Sequence, residues 1–273
     1  MGPAGRKRPL IFPREHGAWG ILLVPLITGA VAGLRNGGMA ALLAPFTVAV
    51  LALFWLRTPV ESWIGSTPIK ARSSEDIRLV RIVSLLLAAI AAAALSAVFW
   101  TGQHGKLVWI GALAAGAFLG QGVIRQIWKK ARTAAQMVGA AGLTSVAPAA
   151  YYLVTGNLNW TAWSLWILNF LFAANQIQFV QLRIHAAQAK TRKERYSAGF
   201  GFLIMQTAQI GLLIAAGWTH VTGWKPAIAF LPVFWRGFRW YVAPFEPLVV
   251  RRLGKQELAQ AIGFGILLIL ATA

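Results

Sequence analysis

Long apolar stretches alternate with short polar segments along the whole chain. Nine stretches approach the roughly 20 residues that a helix needs to cross the hydrocarbon core of a bilayer. They cover residues 17–34, 39–56, 80–100, 107–124, 134–154, 161–180, 198–217, 224–242 and 256–273. The pattern therefore predicts an all-α protein, a polytopic transmembrane helical bundle of about nine spans.

The eighth stretch differs from the others because basic residues interrupt it. Its strictly apolar part, 226–235, is short, and Arg236 and Arg239 follow it. Charged side chains within membrane-embedded helices face the bundle interior rather than lipid. We therefore expect this segment to run along the bundle interior and into the interface.

Basic residues are distributed unevenly between the two sides of the bundle. Of the 26 Lys and Arg, 23 lie within or at the edges of segments on the side of the amino terminus. Only Arg35, Lys106 and Lys225 fall on the opposite side. Because cytoplasmic loops carry the excess of basic residues, we predict a multi-pass protein of the cytoplasmic membrane. Its amino terminus would lie inside and its carboxy terminus outside.

Composition removes several classes of function. A net charge of +19 would suggest nucleic-acid binding in a soluble protein, but 58% of the residues are hydrophobic and the basic residues cluster between spans. There they contact anionic headgroups, so we expect membrane lipids and no nucleic acid as partners. The sequence does not identify any protein partners. The absence of cysteine excludes disulfides and thiolate-bound metals.

Two of the segments on the basic side are longer than a turn requires, 57–79 and 181–197. Each follows the second helix of a four-helix set, as a parallel internal duplication would give. We expect both to fold back as short helices over one shared cytoplasmic cavity. The predicted division is a cytoplasmic segment, 1–16, and one transmembrane domain, 17–273, with pseudo-repeats at 17–133 and 134–255 and a ninth helix at 256–273.

Polar residues near the cytoplasmic ends of the spans form the candidate site. Asn175, Gln178, Gln181 and His185 fall within about 120° of one another on a helix, as a polar stripe. Hydrogen bonding between helices is the alternative role of such a stripe. The remaining candidate ligand-binding residues are Arg14, Glu15, His16, Arg57, Glu61 and Arg183. Arginines suit bidentate recognition of phosphate or carboxylate, and headgroup anchoring is the alternative role.

The opening PREHGAWGILLVPLITGA resembles the start of the YwiC-like family, small bacterial integral membrane proteins with no assigned activity. The resemblance extends along the chain to the closing LGKQELAQAIGFGILL. The layout is also similar to that of the UbiA-type prenyltransferases, which have nine helices in two four-helix repeats. Arg14, Pro25 and Gly29 match the pattern of their first helix.

The UbiA-type enzymes bind a prenyl diphosphate through magnesium held by two aspartate-rich motifs. Here the first long segment offers only Glu61, Glu75 and Asp76 as acids, and the second offers Glu194 beside neutral amides. Neutral amides replace carboxylates poorly around magnesium. The resemblance therefore implies a scaffold that binds an amphipathic lipid or isoprenoid in a cytoplasmic-facing cavity, with no metal site and no cofactor.

Two other functions stay open: a divergent prenyltransferase with a degenerate metal site, and a small-solute transporter. The catalytic residues of an enzyme are not defined by the sequence. In an enzyme, Arg14, Arg57 and Arg183 would hold an anionic head, and Asn175 and Gln178 would orient it. His185 or Glu61 would then be the base.

Overall fold

The computed structural model describes residues 10–12, 16–64, 71–100, 105–128, 131–219, 223–244 and 247–272. The described part of the chain is helical and contains no strand, which confirms the predicted fold class. Its helices are α1 (His16–Arg35), α2 (Leu43–Ile64), α3 (Ser74–Trp100), α4 (Gly105–Ile127), α5 (Arg132–Thr144), α6 (Val146–Thr155), α7 (Trp160–His185), α8 (Arg192–Trp218), α9 (Leu231–Val242) and α10 (Val250–Ala271). Two 3₁₀ helices, Ala186–Gln188 and Lys225–Phe230, follow α7 and precede α9.

Eight helical segments in the described residues are long and apolar enough to cross a membrane. Six are single helices, Trp160–Gln188 joins α7 to the first 3₁₀ helix, and Arg132–Thr155 consists of α5 and α6, which are separated only by Ser145. This arrangement confirms a polytopic helical membrane protein. Pro148 lies one turn after Ser145 and has no N–H to donate to the Thr144 carbonyl, which accounts for the break.

The predicted span 224–242 is not among these eight segments. It consists of a 3₁₀ helix followed by the 12-residue helix α9. A proline stands in the first turn of each, Pro226 and Pro232, where its missing N–H costs no intrahelical hydrogen bond. The two prolines therefore divide this stretch into two short helices.

The described residues form two compact units. The first contains α2 and α3, which belong to residues 39–105, together with the described residues 10–12. Ala52, Leu87 and Ala91 are buried between its two helices. On α2, Arg57 Nε donates to Glu61 Oε1 over 2.9 Å, in an ion pair between residues one helical turn apart.

The second unit contains residues 17–38 and 106–273, and its core includes a cluster of aromatic rings. Phe172 stacks on Phe264 with 4.2 Å between ring centroids, and Phe230 meets Phe264 edge-on at 5.1 Å. Helices α1 and α6 approach closely at Gly29, where a Cβ atom would meet the backbone of Ala147. Small residues thus permit close helix packing.

These units cut across the predicted pseudo-repeats 17–133 and 134–255. Compact units do not test whether one half of the sequence duplicates the other. The repeats therefore stay a prediction. The described unit boundaries place α1 in the same unit as the later helices.

The segment 181–197 forms a tight connection instead of the expected separate short helix. After the 3₁₀ turn, Thr191 caps α8 by accepting from the Glu194 N–H at 3.2 Å. The Glu194 carboxylate accepts from the Lys190 N–H at 2.9 Å, in a variant of the capping box. In the other segment, 57–79, residues 65–70 lie outside the described residues. A cavity shared by both segments stays a prediction.

Candidate functional site

A cavity of about 450 Å³ lies in the second unit, between α7, α8, α9 and α10. Five arginines line it: Arg183, Arg195, Arg236, Arg239 and Arg252. The larger apolar side chains that line it are Phe179, Pro232, Trp235, Trp240, Pro244 and Leu248. Two amides, Gln256 and Gln260, complete the polar lining. We call this site the arginine cavity.

Helix α9 supplies the largest share of the wall because its spacing places basic and aromatic residues on one face. The lining positions are Pro232, Trp235, Arg236, Arg239 and Trp240, which recur every three or four residues. The adjacent face of α9 is apolar and exposed, with Leu231, Phe238 and Val242. Trp235 belongs to both faces, since it lines the cavity and is 70% exposed.

Arg236, on α9, is held in place by residues of two other helices, α10 and α7. Its Nη1 forms an ion pair with Glu257 Oε2 on α10, and its Nη2 donates to Asn175 Oδ1 on α7 over 2.9 Å. The guanidinium also lies 4.1 Å from the centroid of the Phe179 ring, within the range of a cation–π contact. Its Nε is buried and has no hydrogen-bond partner among the described residues.

Asn175 extends this network to a fourth helix. Its Nδ2 donates to Gln209 Oε1 on α8 over 3.0 Å, and Gln209 Nε2 donates to the Leu171 carbonyl over 2.9 Å. Gln176 Nε2 donates to the backbone carbonyl of Glu257 over 2.7 Å. Polar groups at this depth are costly unless paired, so the network fixes the positions of α7–α10 around the cavity.

Arg195 closes the carboxyl end of α9. It is 6% exposed, and its guanidinium donates to the carbonyls of Trp240 and Ala243. The last carbonyls of a helix have no partner within the helix, so a buried cation is well placed there. The guanidinium also lies 4.6 Å from the centroid of the Trp240 ring.

Arg183 and Arg239 differ from Arg236 because neither forms an ion pair with a carboxylate among the described residues. Arg183 is half-buried on α7, and Arg239 is exposed on α9. The described lining holds five arginines and no carboxylate, so the cavity is electropositive. An arrangement of this kind attracts phosphate and carboxylate groups.

The structure separates the residues that the sequence placed in one site. Arg183 lines the cavity, and Asn175 supports it through Arg236. Gln178 is half-buried on α7, whereas Gln181 donates to Gln136 on α5 over 3.0 Å. The exposed His185 has its Nδ1 2.7 Å from the carbonyl of Gln181.

A stripe that spans about 120° of a helix faces two neighbours when the helix is surrounded, which explains this separation. Arg57 and Glu61 lie in the first unit. Arg14, Glu15 and the side chain of His16 lie outside the described residues, so their place in a site stays a prediction.

Sequence reasoning missed four of the five cavity arginines: Arg195, Arg236, Arg239 and Arg252. In the sequence, Arg195 and Arg252 belong to the basic segments between spans, and Arg236 and Arg239 interrupt the eighth stretch. The sequence feature that indicates this site is the pairing of tryptophan with arginine at Trp235–Arg236 and again at Arg239–Trp240. Basic residues that only determine membrane topology do not require this spacing.

A family model described as YwiC-like protein matches residues 12–151. No curated protein and no solved structure matches the chain. The resemblance to the UbiA-type prenyltransferases therefore stays a prediction. The matched residues end before Phe179, the first residue that lines the arginine cavity. Because the match covers just over half of the 273 residues, the chain belongs to the YwiC-like family.

Proposed function

We propose that this protein binds an amphipathic anionic lipid, an isoprenoid or another single-tailed lipid, in the arginine cavity. The scaffold would be UbiA-like but without the aspartate-rich magnesium site. The observation that carries the proposal is the convergence of five arginines and six large apolar side chains on one cavity of about 450 Å³. This volume falls within the usual range of small-molecule sites.

The polar lining supports an anionic headgroup. Arg183 and Arg239 form no ion pair with a described carboxylate, so no described acid competes with a ligand for their guanidinium groups. A guanidinium presents a planar fork of N–H groups that matches phosphate or carboxylate oxygens. A bound anion would also relieve the repulsion between neighbouring arginines.

The apolar lining supports a tail rather than a small soluble anion. Phe179, Pro232 and Trp235 lie towards the interior end of the cavity, by their positions along α7 and α9. Trp235 also reaches the outer surface of the unit, next to the exposed apolar face of α9. A lipid could therefore enter sideways from the bilayer, with its tail along this tryptophan.

The donor set supports direct recognition by arginine instead of a metal bridge. The described lining residues include no Asp or Glu, and Mg²⁺ is bound in proteins chiefly through carboxylates. The excess of basic residues at this end of the helices supports a cytoplasmic position for the cavity, through the positive-inside rule.

The test is to identify what remains bound after mild detergent extraction, by lipid mass spectrometry of the full-length protein. We expect an anionic amphiphile to co-purify with the wild type and to be depleted in Arg183→Ala and Arg239→Ala. Arg132→Ala, which removes an exposed arginine outside the cavity, is the control. Equal amounts of every lipid in all four proteins would contradict the proposal.

The same preparations separate the two alternatives. Magnesium-dependent release of diphosphate from a prenyl diphosphate would favour an enzyme. Flux of a small solute into sealed vesicles, lost in the same arginine variants, would favour a transporter. Retention of an anionic lipid with neither activity supports the binding protein.

A further inference from the structure

We infer that Glu257 is a specificity-determining residue of the arginine cavity. Its carboxylate cancels the charge of Arg236, and this determines how strongly the cavity prefers a dianionic headgroup to a monoanionic one. This inference rests on the proposed function and deepens it. Glu257 itself does not line the cavity. It acts through Arg236, as a positioning residue.

The geometry around Arg236 leaves little freedom for its guanidinium. One Nη binds Glu257, the other donates to Asn175 over 2.9 Å, and Phe179 lies 4.1 Å from the guanidinium carbon. Nε has no hydrogen-bond partner among the described residues, and each Nη carries a second N–H besides the one that these contacts use. Arg236 therefore lies at the cavity wall with its guanidinium held in place and its charge balanced by Glu257.

Glu257 is suited to controlling that charge because solvent does not screen it. Its side chain is 3% exposed, and Oε1 accepts no hydrogen bond from a described residue. Gln176 fixes the backbone here by donating to the Glu257 carbonyl over 2.7 Å. A buried charge acts over several ångströms with much less screening than a surface charge.

The consequence is a dependence of affinity on headgroup charge. Removal of one negative charge at roughly 12 Å from the head, at an effective dielectric constant of about 20, strengthens binding about tenfold per unit of headgroup charge. A dianionic head should therefore gain about a hundredfold and a monoanionic head about tenfold. The ratio of the two affinities should rise about tenfold.

The experiment compares two probes that differ only in charge, decyl phosphate and its methyl ester, which have the same tail. At pH 8 the monoester is a dianion, because its second pKa is near 6, and the methyl ester is a monoanion. Dissociation constants are measured by titration calorimetry on the full-length protein in nanodiscs. For Glu257→Gln we expect the monoester-to-methyl-ester affinity ratio to rise about tenfold above that of the wild type.

Two further variants separate charge from structural damage. Arg236→Met lowers the cavity charge by one and should reduce the ratio about tenfold. The double variant Arg236→Met with Glu257→Gln restores the original charge, so its ratio should return to the wild-type value. A protein that has merely lost structure would not recover selectivity in the double variant. Arg132→Gln serves as the control for a distant charge.

Ratios that stay equal in wild type, Glu257→Gln and Arg236→Met would overturn the inference while leaving lipid binding intact. A double variant that fails to restore the ratio would also overturn it. If the wild type binds neither probe, the proposed function itself fails, and this inference fails with it.

Discussion

Replacement of Arg195 by methionine should destabilise the second unit more than any loss of a surface charge. Arg195 donates to the Trp240 and Ala243 carbonyls at the end of α9 and stacks on the Trp240 ring. Methionine keeps an unbranched apolar stem but has no donor for these carbonyls. The variant therefore isolates the polar contacts of the guanidinium from the packing of its stem.

The size of this loss of stability follows from the contacts of Arg195. Two charge-assisted hydrogen bonds contribute about 1.5–3 kcal/mol each, and the cation–π contact adds about 0.5–1 kcal/mol. Because the guanidinium is buried, its desolvation offsets part of this gain. We expect a net loss of about 3 kcal/mol, which lowers the melting temperature of a chain of this size by about 6–12 °C.

The assay is thermal unfolding of the purified protein in detergent, followed by tryptophan fluorescence at one scan rate, since membrane proteins often unfold irreversibly. Arg192→Met is the matched control, because Arg192 is exposed one turn earlier on α8. If Arg195→Met melted within about 2 °C of this control, the role of Arg195 in closing α9 would be refuted.

Three other outcomes are expected. Gly29→Ala should lower the free energy of unfolding by about 1–3 kcal/mol, because the new methyl group meets the Ala147 backbone. The control Gly17→Ala, with nothing within 4 Å of its Cβ, should leave stability unchanged. Equal melting temperatures of the two variants would contradict the close approach of α1 and α6. Reporter fusions at Gly156 and Ser197 should lie on opposite faces of the membrane, since one span separates them. Labelling of both from the same face would show that the predicted number of spans is wrong. Binding of decyl phosphate should survive EDTA but weaken by roughly 1.5–3 kcal/mol in Arg183→Ala. Binding that is lost with EDTA but unchanged in Arg183→Ala would favour the degenerate prenyltransferase.

The helical spans were predictable because hydrophobic length reports directly on membrane crossing. Predicted spans one to seven and nine coincide with the eight apolar segments of the structure. The exception was 224–242, where two prolines divide the stretch. Even there the interruption by Arg236 and Arg239 was visible in the sequence as a departure from the other spans.

The candidate site was only partly predictable, because helical periodicity gives the face of a residue but not the neighbour on that face. Asn175 and Gln181 lie on one predicted stripe, yet one bonds to α8 and α9 and the other to α5. The partner of Arg236, Glu257, is 21 residues away in sequence. No local pattern indicates a pair at that separation on two different helices.

The interruption of the eighth stretch is better understood as a requirement of the arginine cavity than as a weak span. A continuous helix would hold Arg236 and Arg239 within hydrocarbon, at about 2.5–3.5 kcal/mol for each arginine near the bilayer centre. A short α9 instead ends beside α8, where Arg195 binds its last carbonyls. The same arrangement directs Arg236 towards Glu257 and Asn175. A hydropathy profile therefore shows its weakest span where the polar lining of the cavity begins.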